Sequence, residues 1–123
     1  MDRQVVWGFL GAAGIAEKNW ASVQRSGNGI LKFVGSRDVA KAQAFIDRCQ
    51  ASAPFEKAPE AVEGYEEILA DPEIDAVYIP LPTGLRKDWV IRAAEAGKHV
   101  LCEKPCAPKA ADLEEMIAAC EAN

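Results

Sequence analysis

The 123-residue sequence predicts a doubly wound α/β domain, a single parallel sheet in strand order 3-2-1-4-5 with helices on both faces. Three observations point there. Short apolar runs alternate with amphipathic stretches of about a dozen residues from end to end. A glycine-rich turn follows the first run directly. A later run, Asp75–Ile79, is apolar on both faces, as a central parallel strand covered on each side must be.

Val5–Leu10 is a compact apolar run closed by glycine, hence the first strand. From Ile15 to Ser26 the pattern turns helical, with Ala16, Trp20 and Val23 at i, i+4 and i+7, and Ser26-Gly27-Asn28-Gly29 stops it. Ile30–Gly35 is the second strand. Asp38 is placed to cap the next helix, whose Val39, Ala42, Phe45, Ile46 and Cys49 share a face. Ala51–Pro59 reads as loop and Ala61–Glu63 as a short third strand. Tyr65–Ala70 is a short helix ended by Asp71-Pro72. After Asp75–Ile79 and a Pro80-Leu81-Pro82-Thr83-Gly84 turn, Leu85–Ala96 is a helix aligning Leu85, Trp89, Ala93 and Ala96. Gly97 stands where a helix C-terminal glycine belongs. His99–Cys102 is the last strand. Asp112–Ala122 is the last helix, with Leu113, Met116, Ile117 and Cys120 on one stripe.

Composition narrows the function classes. Half the residues are hydrophobic, and 14 Lys and Arg against 19 Asp and Glu leave a net charge of −5. With no basic stripe, binding to nucleic-acid backbones or anionic membranes is not expected, although a local phosphate pocket is compatible with this balance. No apolar run approaches the roughly 20 residues of a membrane span, and no secretion signal opens the chain. The four cysteines, Cys49, Cys102, Cys106 and Cys120, form no C-x-x-C pair, and His99 is the sole histidine. A metal site is therefore not expected. Cys49 and Cys120 fall at apolar helical positions and read as buried thiols. The expected compartment is the reducing cytoplasm.

Two segments carry chemistry. Gly8-Phe9-Leu10-Gly11-Ala12-Ala13-Gly14-Ile15-Ala16 lies at a strand-to-helix turn, the context in which glycines allow a backbone to cradle a pyrophosphate at a helix N-terminus. Against G-x-G-x-x-G the second glycine is Ala13 and the third Ala16, so a ligand-free turn stands beside the phosphate-binding reading. At the end of strand two, a carboxylate would accept from a ribose 2′-OH. Here Ser36, Arg37 and, one helical turn on, Lys41 occupy that place, a set suited to a 2′-phosphate. Asp38 as a 2′-OH acceptor is the competing assignment, and a solvated basic helix start is the bland one.

The stretches Gly8-x-x-Gly11…Gly14-Ile15-Ala16, Ser36-Arg37-Asp38, Tyr65-Glu66-Glu67-Ile68-Leu69, Asp71-Pro72-Glu73-Ile74-Asp75-Ala76-Val77-Tyr78-Ile79-Pro80-Leu81-Pro82-Thr83 and Ala96-Gly97-Lys98-His99-Val100-Leu101-Cys102-Glu103-Lys104-Pro105 occur in order. Together they resemble the cofactor domain of the glucose–fructose oxidoreductase / inositol dehydrogenase / MocA family, in its dihydrodiol dehydrogenase and NADP–xylose dehydrogenase-like branch. The resemblance runs from Val5 to Asn123 and implies a Rossmann-like fold holding a nicotinamide dinucleotide, NADP or, alternatively, NAD. It implies that Gly8, Gly11, Ala12, Ala13, Gly14, Ile15 and Ala16 wrap the pyrophosphate, with Ser36, Arg37 and Lys41 at the adenosine phosphate. Pro80, Leu81, Pro82 and Thr83 would line the nicotinamide ribose. Glu103 and Lys104 would reach the ribose and the reacting centre, Lys104 as the catalytic residue that steadies a developing alkoxide. Pro105 in cis would fix its direction. Without the resemblance, Lys104 reads as an exposed loop lysine. Arg86 departs from the histidine common in this branch, either as a surface residue or as a second anion contact.

The same resemblance implies that residues 1–123 are the NAD(P)-binding domain of an oxidoreductase acting on a sugar, polyol or cyclic diol. The substrate domain would lie outside this chain, and these residues alone would be inactive, meeting small-molecule substrate only in the longer parent. A non-enzymatic nucleotide-binding module with a regulatory or scaffold role is the alternative. Uncovered sheet edge and apolar surface further lead to an expectation of homodimers.

Overall fold

The structure is a computed structural model that describes residues 3–104 and 106–123. Pro105, and with it the expected cis bond, lies outside the described residues. The elements are β1 (Val5–Leu10), α1 (Ala16–Arg25), β2 (Gly29–Ser36), α2 (Val39–Ser52), β3 (Glu60–Glu63), α3 (Glu66–Ala70), β4 (Ala76–Ile79), α4 (Thr83–Glu95), β5 (His99–Cys102) and α5 (Ala110–Ala122). The strands form one parallel sheet in the order β3-β2-β1-β4-β5, as the alternation of periods requires.

Two apolar layers seal the sheet. On one face Phe9, Leu31, Val34 and Tyr78 pack against Trp20 and Val23 of α1 and Phe45 and Ile46 of α2. Trp20 meets Phe45 edge-on at 5.8 Å, and its indole N–H donates to the Ala53 carbonyl at 2.8 Å. That bond satisfies a buried donor and pins the end of α2 to α1. On the other face Leu10, Val77 and Ile79 pack against Ile68 of α3, Val90 and Ala93 of α4 and Met116 of α5. Two glycines let α3 approach. A Cβ on Gly8 would collide with the Ile68 side chain, and one on Gly35 would lie 2.5 Å from the Gly64 carbonyl oxygen. Gly8 therefore serves packing inside the strand.

Three helix faces differ from expectation. In α4 the buried row is Arg86, Val90, Ala93 and Ala94, one residue on from the apolar row through Leu85, which is 42% exposed. The guanidinium of Arg86 goes inward because carbonyl acceptors await it there, as described below, so Arg86 is not a surface residue. Val39, at the start of α2, stays in solvent. In α5 only Met116 is buried, while Leu113, Ile117 and Cys120 are exposed. The reason is topological: β5 is the sheet edge and α5 lies along α4, so one row of the helix finds neighbours. Cys120 is thus not the buried thiol its position suggested, whereas Cys49 is. Among the described residues no helix is long and apolar enough to cross a membrane, and no group of three or more His, Cys, Asp or Glu is placed to hold a metal ion.

Candidate functional site

Every loop at the carboxyl ends of the strands opens on the same rim, where doubly wound sheets take ligands. After β1 the chain turns sharply at Gly11, whose φ of 126° only glycine adopts without strain. Its amide donates to the Gly35 carbonyl at 3.0 Å, anchoring the turn to β2. The next acceptors are local: the Ala16 amide donates to the Ala13 carbonyl at 2.9 Å and the Glu17 amide to Gly14 at 3.1 Å. Among the described residues no protein acceptor meets the amides of Ala12, Ala13, Gly14 and Ile15. Four backbone donors at the start of α1 thus point to the rim, with the helix dipole behind them. A Cβ on Gly14 would have nothing within 4 Å, so its glycine leaves open space that the protein itself does not use.

This turn floors a cleft of about 270 Å³ walled by Ala12, Ala13, Pro80 and Leu81. It adjoins a second of about 480 Å³ lined by Ser36, Arg37, Lys41, Tyr65, Pro82 and Leu85. Ser36, Lys41, Tyr65, Leu81 and Pro82 line both, so they are two parts of one groove. Arg37 and Lys41 are exposed there, and among the described residues neither forms an ion pair. Asp38 is engaged elsewhere: its carboxylate accepts from the Ala40 amide at 2.9 Å and caps α2. The Ser36 hydroxyl accepts from the Asp38 amide at 3.2 Å, which holds the start of the turn. Burial pushes the Tyr65 phenol above its ordinary range, against the nearby Arg37 charge. Tyr65 therefore offers a neutral ring and hydroxyl beside two cations.

At the other end, beyond β4 and β5, Glu103 and Lys104 share a pocket of about 250 Å³ with Ile15, Lys18, Asn19 and Tyr78. The Tyr78 hydroxyl donates to the Glu103 carboxylate at 2.5 Å and hydrogen-bonds the Asn19 side chain. That phenol holds the Glu103 carboxyl below the usual carboxylate range, outweighing burial. Burial and then Glu103 push the phenol itself upward. Lys104 is exposed. Burial raises the neighbouring Cys102 thiol to about 12, so it is not an activated nucleophile. Arg86, on the first turn of α4, reaches between the two loops. Its Nε donates to the Leu81 carbonyl at 2.5 Å and a terminal nitrogen to the Glu103 carbonyl at 3.0 Å.

The structure thus gathers Gly11, Ala12, Ala13, Ser36, Arg37, Lys41, Pro80, Leu81 and Pro82 around one groove and Ile15, Glu103 and Lys104 around a separate pocket. Gly8 is inside the sheet, Ala16 is buried with its amide occupied, and Thr83 opens α4 outside the groove lining. Tyr65, Leu85, Tyr78 and Asn19 were missed by the sequence reading. Tyr65 and Tyr78 stood within the recognised stretches, but Tyr65 is the N-cap of α3 and Tyr78 a residue of β4, and each comes to line a cleft only by tertiary packing.

A dinucleotide suits this donor set: open amides for a pyrophosphate, paired cations for an adenosine phosphate, and apolar prolines with a carboxylate for the far ribose. Comparisons with known proteins agree. The family model described as "Oxidoreductase family, NAD-binding Rossmann fold" matches residues 5–123. A D-xylose 1-dehydrogenase (NADP(+)) of Haloferax volcanii is 40% identical over 117 residues, covering 95% of this chain and 34% of that protein. KijD10, a 3-ketoreductase from Actinomadura kijaniata solved in complex with NADP, superposes with a TM-score of 0.85 at 31% identity, over 98% of this chain and 36% of that one. The WlbA dehydrogenase of Bordetella pertussis, solved with NADH and UDP-GlcNAcA, gives 0.76 at 25% identity, over 99% and 33%. The chain spans about a third of the length of these relatives. It belongs to the GFO/IDH/MocA family of oxidoreductases and is an NAD(P)-binding Rossmann domain of that family.

Proposed function

We propose that the chain binds NADP(H) in preference to NAD(H), and that its parent transfers hydride between the nicotinamide and a secondary alcohol or ketone carbon of a sugar, polyol or cyclic diol. The observation that carries this is the groove that joins Arg37 and Lys41, without ion pairs among the described residues, to the turn with the open amides, on the same rim as the pocket of Glu103 and Lys104. Asp38 caps α2, which supports the 2′-phosphate reading over the 2′-OH reading. When bound, the dinucleotide supplies the hydride acceptor or donor. The residues of this chain orient it: the α1 amides hold the pyrophosphate, and Glu103 takes the ribose hydroxyls. The Lys104 ammonium stabilises negative charge developing on the substrate oxygen.

A D-xylose dehydrogenase and a dehydrogenase solved with UDP-GlcNAcA stand among the relatives named above, which supports a sugar-type substrate. We assign substrate selection to the longer arrangement of such relatives, so these residues alone bind cofactor without turnover. The presence of Lys104 favours this enzyme lineage over a purely regulatory binding module. Four free cysteines accord with work in a reducing cytoplasm. Calorimetric titration decides the cofactor claim: saturable binding of NADP(H), tighter than NAD(H), is expected, and no heat at millimolar cofactor would overturn it.

A further inference from the structure

We infer that Arg86 is the positioning residue for the nicotinamide end of the groove, holding the β4 and β5 exit loops at a fixed separation. The inference rests on the dinucleotide reading above and adds a residue to it. Its starting point is a gap in the sheet. β4 and β5 pair as far as Ile79 and Cys102, and the Glu103 amide still donates to the Ile79 carbonyl at 3.3 Å. The pairing of the two strands ends there. The carbonyls of Leu81 and Glu103 lie past the last pair, and among the described residues neither accepts a backbone N–H.

Arg86 supplies both donors. Its side chain, only 7% exposed, runs inward from the first turn of α4 and gives one N–H to Leu81 and another to Glu103. A planar guanidinium presents its donors at fixed angles, so the two carbonyls are held in a set relation. A lysine ammonium could not reproduce that fork, and a neutral imidazole has one N–H. Glu103 is thereby gripped twice, at its carbonyl by Arg86 and at its carboxylate by Tyr78. Lys104 follows it directly in the chain, so its origin is fixed by the same grip. The opposite loop, Pro80–Pro82, is fixed by the other arm. The Glu103 arm of this grip is apart from Arg37 and Lys41: the pocket of Glu103 and Lys104 shares no lining residue with the cleft of the two cations, which only the Leu81 arm borders.

That separation makes the inference testable in the full chain. Arg86→Ala and Arg86→Lys are compared with wild type for binding of NADPH and of 2′,5′-ADP, which carries the adenosine end only. Thermal unfolding reports whether each variant is folded, and Arg86→Lys, which keeps the charge and the stem, serves if Arg86→Ala is not. The expected result is a loss of about tenfold in NADPH affinity with 2′,5′-ADP binding unchanged within about twofold. Equal losses for both ligands would make Arg86 a general fold residue, and unchanged NADPH binding would remove its role; either overturns the inference while leaving the cofactor reading intact. If wild type binds 2′,5′-ADP and NADPH with the same affinity, the nicotinamide end contributes nothing and the inference also fails. Wild type that binds neither ligand overturns the dinucleotide reading, and this inference with it.

Discussion

The two ends of the groove are built on opposite plans. At the adenosine end Arg37, between β2 and α2, and Lys41, in the first turn of α2, are exposed and form no ion pair among the described residues. At the other end Tyr78, Glu103 and Arg86 form a bonded, partly buried assembly before any ligand arrives. The difference follows from the tasks. Exposed cations attract a phosphate at long range and order on contact, with little desolvation to overcome. A reacting centre needs groups already in position, because positional error of about 1 Å costs rate steeply. One end recruits and the other is set in advance.

Perturbing the junction should damage both ends together. Gly11 lies between them, and a Cβ there would sit 3.3 Å from both Leu81 and Pro80 on a backbone of positive φ. Gly11→Ala should cost about 2 kcal/mol of stability and weaken NADPH and 2′,5′-ADP alike; thermal unfolding with paired titrations checks it. Loss of one ligand alone would show that the turn does not couple the ends.

Reversing charge at the recruiting end should be selective. Arg37→Asp is expected to weaken NADP by about 30-fold, or ~2 kcal/mol, and NAD far less, the gap narrowing as salt is raised. Equal losses would assign Arg37 to a site common to both dinucleotides. Removing the preset hydroxyl at the other end should have the smallest effect. Tyr78→Phe deletes the bond to Glu103 and should cost about 1 kcal/mol at neutral pH. The Glu103 carboxyl titrates below its unfolded value, so its stabilisation is present above that value and lost as pH falls through the folded one. In Tyr78→Phe the acid-side decline in stability should therefore flatten, as read from denaturant midpoints across the acid range. An unchanged acid limb would mean that the phenol does not hold Glu103.

The elements were legible wherever side-chain period and turn chemistry agreed. The strands begin and end within about a residue of expectation, Asp38 caps α2, and Gly97 ends α4 with a φ of 80°. Parallel pairing also followed from strands separated by helices, since parallel neighbours need a crossover of a dozen or more residues, usually a helix. The site was legible as a set of loops. What could not be read was which way individual side chains go. Arg86 reads as either a surface residue or a second anion contact, and only the two carbonyls past the end of the β4–β5 pairing explain its buried place. Leu113, Ile117 and Cys120 have the spacing of a buried stripe, yet they are exposed because α5 lies on one neighbour only. Gly8 resembled a ligand-facing residue but makes room for Ile68, as Gly35 does for the Gly64–Tyr65 turn.

Local chemistry, which the sequence carries by itself, determined the alternation of strand and helix, the caps, the phosphate-type turn and the cations after β2. These depend on residues within a few positions of one another, where period and backbone preference act directly. The tertiary structure alone decided that Ser36, Lys41, Tyr65 and Leu81 wall one groove. It alone decided that Tyr78 bonds Glu103 across 25 residues and that Arg86 bridges two loops. Such contacts arise only when the sheet brings distant strand ends to one rim, and no spacing along the chain encodes which donor will find which acceptor there.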